Sequence, residues 1–164
     1  MKAKICLTDQ AANILRRQNI DPEAYGSAYL GESAGLDLYN MGDSMTIPGK
    51  TKWAQTGERP ILFPTGLRVV IPNGYVGLIL ERGSIVKTGL SLRAGVIDPG
   101  FTGEIFVSFL NVGERDTIIE TGAKLPAQLV VTPCAFAFEV ISKKDYDKQM
   151  KFASRKEKMI GSTN

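Results

Sequence analysis

Four short segments gather the residues whose types could do chemistry. They are GLDLYN with Asp37, ERGSIVKTG with Arg82 and Ser84, AGVIDPGFTGE with Asp98, and a closing Arg155 followed by Gly161-Ser162-Thr163. The chain has no histidine, which excludes a Ser-His-Asp triad, a Cys-His pair and an HExxH zinc site. Two cysteines without a histidine cannot supply the ligands of a zinc deaminase. A general base must then be a carboxylate, lysine, tyrosine or thiol. An aspartate of ordinary pKa, about 3.9, is ionised at neutral pH and can take a hydrogen bond from water. Singly, each segment has an ordinary structural account. Asp37 alternates with Leu36 and Leu38 as a half-buried strand acid would, Ser84 suits a helix N-cap after a strand, and Asp98-Pro99-Gly100 is a turn sequence.

The elements that must position these residues are mostly short strands. Residues 3–7 read as a strand and Thr8 as the N-cap of a helix carrying Ala11, Ala12, Ile14 and Leu15 on one face, ending near Asn19 and the Asp21-Pro22 break. This is the one helix expected in the first half. Beyond Gly35 come LDLYN, SMTIP, ILFPTGLRVVIP, YVGLILE, LSLRAGVI, EIFVSFLN, DTIIE, KLPAQLVVT and AFAFEV, separated by turn residues such as Pro72-Asn73-Gly74 and Pro99-Gly100. Such spacing predicts an all-β sandwich or jelly roll. After Val140 the chain turns polar, with KKDYDKQMKF compatible with a helix. The expected division is a β domain over 1–141 and a C-terminal helix and mobile arm over 142–164.

At 164 residues, 43% hydrophobic and 23% charged, the chain suits one domain with a modest core. It lacks a run long enough to span a membrane and an apolar leader at its start, so a soluble, cytoplasmic protein is expected. Cys6 and Cys134 are expected as buried free thiols in strands. A net charge of +3 fits an anionic small ligand without requiring nucleic acid.

In this order the segments resemble the five motifs of the homotrimeric dUTPase family, over residue 34 to the C-terminus. SAGLDLYN resembles the first motif, ERGS the second, AGVIDPGFTGE the third, GAKLPAQL the fourth and Arg155 with Gly161-Ser162-Thr163 the fifth. The resemblance implies an all-β, distorted jelly-roll β-barrel of the dUTPase type, with a short N-terminal helix and a C-terminal arm. It implies a dUTP diphosphatase that uses Mg²⁺ and forms a homotrimer with sites shared between subunits. Asp98 would activate the water that attacks the α-phosphate, and Arg82 and Gln128 would contact the phosphates. Ser84, Gly95, Ile97, Phe101, Arg155, Gly161, Ser162 and Thr163 would line the substrate, and Asp37 would hold the metal indirectly, through water.

Leu92 stands where the family carries an asparagine, Phe101 where it carries tyrosine, and Ile160 where an aromatic caps the base. These differences open the alternative of another deoxypyrimidine triphosphate: dTTP, dCTP or a 5-substituted dUTP. A dCTP deaminase shares the fold, but Ser108 holds the position of its glutamate. A scaffold with reduced catalysis, acting as a nucleotide-responsive binding protein, is the reading from another class.

Overall fold

Thr8 caps the first helix as its sequence predicts. In this computed structural model, which describes residues 3–22, 25, 33–57, 60–135 and 139–151, its Oγ1 accepts a hydrogen bond from the Ala11 amide at 3.3 Å. The helix, α1 (Asp9–Arg17), follows strand β1 (Lys4–Leu7). It buries Ala11 and Leu15 completely, and Arg16 and Arg17 in its last turn complement the helix dipole.

The remaining strands are β2 (Gly35–Tyr39), β3 (Met45–Ile47), β4 (Ile61–Pro64), β5 (Leu67–Val70), β6 (Tyr75–Glu81), β7 (Leu90–Arg93), β8 (Val96–Ile97), β9 (Phe106–Asn111), β10 (Thr117–Ile119) and β11 (Lys124–Pro133). All described pairings are antiparallel. One sheet has the order β2-β11-β6-β8 and another β4-β9-β7, with the pairs β1-β5 and β10-β3 beside them. This is the expected all-β, distorted jelly-roll architecture. Alternation sets the faces. Along β9, Val107, Phe109 and Asn111 point inward while Phe106 is exposed, and Phe109 meets Phe63 of β4 at a ring separation of 6.0 Å. Leu38, Leu67, Ile105 and Leu125 complete the fully buried apolar layer.

Polar groups in this core are all paired. Asn111 donates to Ile47 O and Arg115 O and accepts from the Gly113 amide, so one amide closes the loop between β9 and β10. Asn40 does the same beyond β2, donating to Asp43 O and Glu120 O. No buried side-chain nitrogen or oxygen among the described residues lacks a partner.

Three expectations are corrected. A second helix, α2 (Lys50–Thr56), lies in the first half between two glycines, with Gly57 ending it in the left-handed conformation. It is too short for an apolar period to betray it, and Trp53 anchors it by donating to Asn111 O at 2.6 Å. Cys6 and Cys134 are free, as expected, but exposed. Among the described residues β1 pairs on one side only, with β5, and its Lys4, Ile5 and Cys6 are exposed, while Cys134 lies just past the end of β11. Ser84 is not an N-cap: Arg82 takes that position, without a side-chain cap, before the 3-10 turn Gly83–Lys87.

A helix in the polar C-terminal region is present as α3 (Lys143–Met150), with Ser142 Oγ accepting from the Asp145 amide at 3.2 Å. Part of AFAFEV, residues 136–138, and Arg155, Ile160, Gly161, Ser162 and Thr163 lie outside the described residues. No helix among the described residues is long and apolar enough to cross a membrane.

Candidate active site

Asp37 is the centre of a charged cluster at one end of the β2-β11-β6 sheet. Leu38 beside it faces the core, so the strand's alternation turns Asp37 outward, yet its side chain is only 16% exposed because two cations cover it. Arg82 Nε stands 2.6 Å from Asp37 Oδ1, and Lys124 Nζ stands 2.9 Å from Oδ2. Arg82 is fixed further through Nη1 to Leu125 O at 3.4 Å and through its own amide to Pro126 O at 3.0 Å. The hydrogen bond from Lys124 to Asp37 raises the lysine pKa above its ordinary value, so the ammonium stays charged throughout the neutral range. Its Nζ also lies 5.5 Å from the centroid of the Tyr39 ring.

Gln128 joins this cluster because β11 is irregular. Lys124 pairs with Tyr39 and Gln128 with Asp37, so residues 125–127 bulge opposite Leu38. Pro126 in that bulge has no amide proton to donate to a ladder. The bulge sets Gln128 directly across from Asp37, and its Nε2 donates to Glu81 O at 3.1 Å. Its Oε1 lies against the bare Cα of Gly35, where an added Cβ would clash with the amide.

Asp98 occupies a different place. It follows β8 in a turn closed by the Phe101 amide donating to Asp98 O at 3.0 Å. The hairpin before it turns through Ala94 at φ 60° and Gly95 at φ 148°. At Gly95 a Cβ would lie 2.8 Å from Ile79 O, so the turn needs glycine there. The Asp98 side chain is exposed and makes no hydrogen bond or ion pair among the described residues. Beside it Phe101 is 41% exposed, and a cavity of about 220 Å³ opens under the hairpin, lined in part by Leu92, Gly95, Ile97, Phe101 and Ser108.

These two groups do not meet in one chain. Ile97 pairs with Gly77 on β6, so Asp98 lies level with Val76, whereas Arg82 follows the opposite end of that strand. At about 3.3 Å per residue, Val76 and Arg82 are roughly 20 Å apart along β6. Asp37, Arg82 and Gln128 are therefore brought together, Gly95, Ile97, Asp98 and Phe101 are brought together elsewhere, and Ser84 is exposed on the 3-10 turn after Arg82.

Lys124 is the one member of the cluster that sequence reasoning overlooks. Its position four residues before Gln128 and two after Gly122 was the available signal. No group of three or more His, Cys, Asp or Glu residues among those described could cage a metal. A lone carboxylate fits Mg²⁺ when phosphates and water complete the shell, because that ion keeps several waters and prefers hard oxygen ligands.

Comparison with known proteins gives the family. The dUTPase family model matches residues 28–163. The chain belongs to the dUTPase family. It is 31% identical over 134 residues to the deoxyuridine 5'-triphosphate nucleotidohydrolase of Dictyoglomus turgidum, covering 80% of this chain and 84% of that protein. The protein of the same name from Mycobacterium sp. (strain JLS) is 38% identical over 101 residues, an alignment spanning 60% of each chain. Among solved structures, a mutant dUTPase from phage phi11 of S. aureus, described with a structural Mg(II) ion, aligns at TM-score 0.67 and 19% identity. It covers 90% of this chain and 99% of its own, a likeness of fold.

Proposed function

We propose that this chain hydrolyses dUTP to dUMP and pyrophosphate in sites assembled between copies of itself, as a homotrimer. The observation that carries this reading is the separation of roughly 20 Å along β6 between the Arg82 cluster and Asp98. Each half holds part of one chemistry, so a phosphate chain gripped by one copy must meet the Asp98 of another. Family membership supports the reaction, and the exposed apolar side chains Leu62, Leu80, Val86, Val96 and Phe106 supply surface for a neighbour to cover.

In this reaction Asp98 accepts a proton from water as its oxygen bonds to the α-phosphorus. The bond from that phosphorus to the oxygen bridging the α and β phosphates breaks, and the pair of electrons leaves with pyrophosphate. The exposed carboxylate is open to a hydrogen bond from the attacking water. Arg82, preset by Asp37 and the backbone of β11, neutralises charge on the phosphates, and Gln128 orients them. Phe101 offers a ring face to the sugar beside Gly95 and Ile97, and Ser84 lies next to Arg82 for a phosphate contact. Arg155, Gly161, Ser162 and Thr163 complete the site from the C-terminal arm. Asp37 would hold Mg²⁺ through water, and the bound ion would supply charge neutralisation of the triphosphate.

The test is to incubate the protein with Mg²⁺ and each deoxynucleoside triphosphate in turn and to separate the products. Monophosphate and pyrophosphate from dUTP alone support the proposal. Turnover of dTTP, dCTP or a 5-substituted dUTP instead moves the substrate, a deaminated base moves the reaction, and no turnover leaves a binding scaffold.

A further inference from the structure

Asp37 carries two cations on one carboxylate, and they are held very differently. Arg82 is tied at Nε, at Nη1 and at its own amide. Among the described residues the Lys124 ammonium touches only Asp37 and Tyr39, is the more exposed of the two at 37%, and sits on a flexible four-carbon stem. The pair leaves a surplus positive charge in a partly covered place, and among the described residues no second acid pairs with it. Lys124 also flanks the bulge that sets Gln128 against Asp37, so the three nitrogen-bearing side chains share one rim.

We propose that Lys124 is a phosphate-binding residue parked on Asp37: on nucleotide binding its ammonium moves from Oδ2 to the triphosphate, and the freed oxygen accepts a water of the metal's shell. The inference rests on the dUTP reading above. It makes Lys124 a gate as well as a ligand. While it holds Oδ2, Asp37 is a poor acceptor for hydrated Mg²⁺, so metal and nucleotide must arrive together. The incoming phosphate draws off the lysine that blocks the metal's acceptor. Arg82 keeps its place throughout, because its other hydrogen bonds run to backbone that does not move with the ligand.

The test is isothermal titration of the full chain with a non-hydrolysable dUTP analogue carrying an imido bridge between the α and β phosphates. It is run in EDTA and again with Mg²⁺, for the wild type, Lys124→Met and Lys124→Arg. In EDTA, Lys124→Met should bind roughly tenfold more weakly, the value of one charge-assisted hydrogen bond to phosphate, and Lys124→Arg should stay within about threefold. The gain in affinity on adding Mg²⁺ should be about the same for Lys124→Met as for the wild type, because Oδ2 is free in both nucleotide complexes. Should Lys124→Met fail to fold, Lys124→Gln, which is shorter and uncharged, carries the same expectations.

Equal affinity of wild type and Lys124→Met in EDTA overturns the proposal. So does a loss that Lys124→Arg shares in full, which marks packing, and so does a Mg²⁺ gain clearly larger for Lys124→Met than for the wild type, which means that the lysine stays on Oδ2. A wild type that binds no analogue sinks the dUTP reading, and this inference with it. A wild type that binds, matched by Lys124→Met, sinks this inference alone.

Discussion

The two halves of the proposed site are built in opposite ways. Around Asp37 every side chain is restrained: Arg82 by a carboxylate and a carbonyl, Gln128 by Glu81 O and the bare Cα of Gly35, Lys124 by Oδ2. Around Asp98 the backbone is restrained, by a turn and by Gly95 packed on Ile79 O, but the carboxylate is free among the described residues. The contrast follows from the task of each half. Groups that grip a charged phosphate chain gain from being preset, since no reorganisation is then needed at the moment of reaction. A base that must meet water needs only the right place and an ionised oxygen.

The sharpest way to break this contrast is Asp98→Asn. Turnover should fall by roughly 10³-fold or more while the affinity for a non-hydrolysable analogue stays within a few-fold, because the change removes a base and nothing that the fold uses. Thermal denaturation should be unaltered, and a drop in melting temperature would show that the free carboxylate has a structural duty. Arg82→Ala should cost roughly 10² to 10³ in kcat/KM and, unlike Asp98→Asn, should lower the melting temperature by about 2–4 °C, since half-covered Asp37 then keeps only Lys124. Steady-state kinetics beside differential scanning calorimetry would separate the two behaviours.

A smaller effect tests how tightly the restrained half is set. Gly35→Ala places a methyl where the Gln128 amide lies, so kcat should fall by about tenfold with little change in fold. Combined with Gln128→Ala it should cost no more than Gln128→Ala alone, the signature of a residue that acts through the glutamine. Independent losses would remove Gly35 from that role. The smallest effect concerns the floor beneath Asp37. Tyr25 is buried, accepts from the Tyr39 amide of β2 and donates to Thr65 O, and burial holds its pKa well above the ordinary tyrosine value. A raised folded pKa means that this contribution to stability is complete below the unfolded value of about 10 and declines as pH rises beyond it. Urea midpoints from pH 8 to 11 should therefore fall more steeply for the wild type than for Tyr25→Phe.

Local features of both halves were legible in the sequence. Alternation marks Asp37 as the outward residue of a strand, Asp98-Pro99-Gly100 marks a turn, and Pro126 marks a bulge, because each depends on a few neighbouring residues. What the sequence hides is set by distant pairing. Lys124 meets Asp37 only through the register of β11 on β2, 87 residues apart in the chain. The exposure of Cys6 depends on which strand covers β1, and α2 is too brief to show a period. Least legible of all is that Asp98 and Arg82 sit at opposite ends of one strand, since neither motif carries the register of β8 against β6.

That separation is the central claim, and mixing two dead variants tests it most directly. Asp98→Asn and Arg82→Ala chains, each inactive alone, would be co-refolded in equal amounts and assayed for dUTP hydrolysis. If each site takes Asp98 from one copy and Arg82 from another, random assembly restores both residues in about a quarter of the sites, and activity should return to roughly that fraction of the wild type. A mixture as inactive as its components, in a preparation shown by mass spectrometry to contain mixed oligomers, would contradict the shared site.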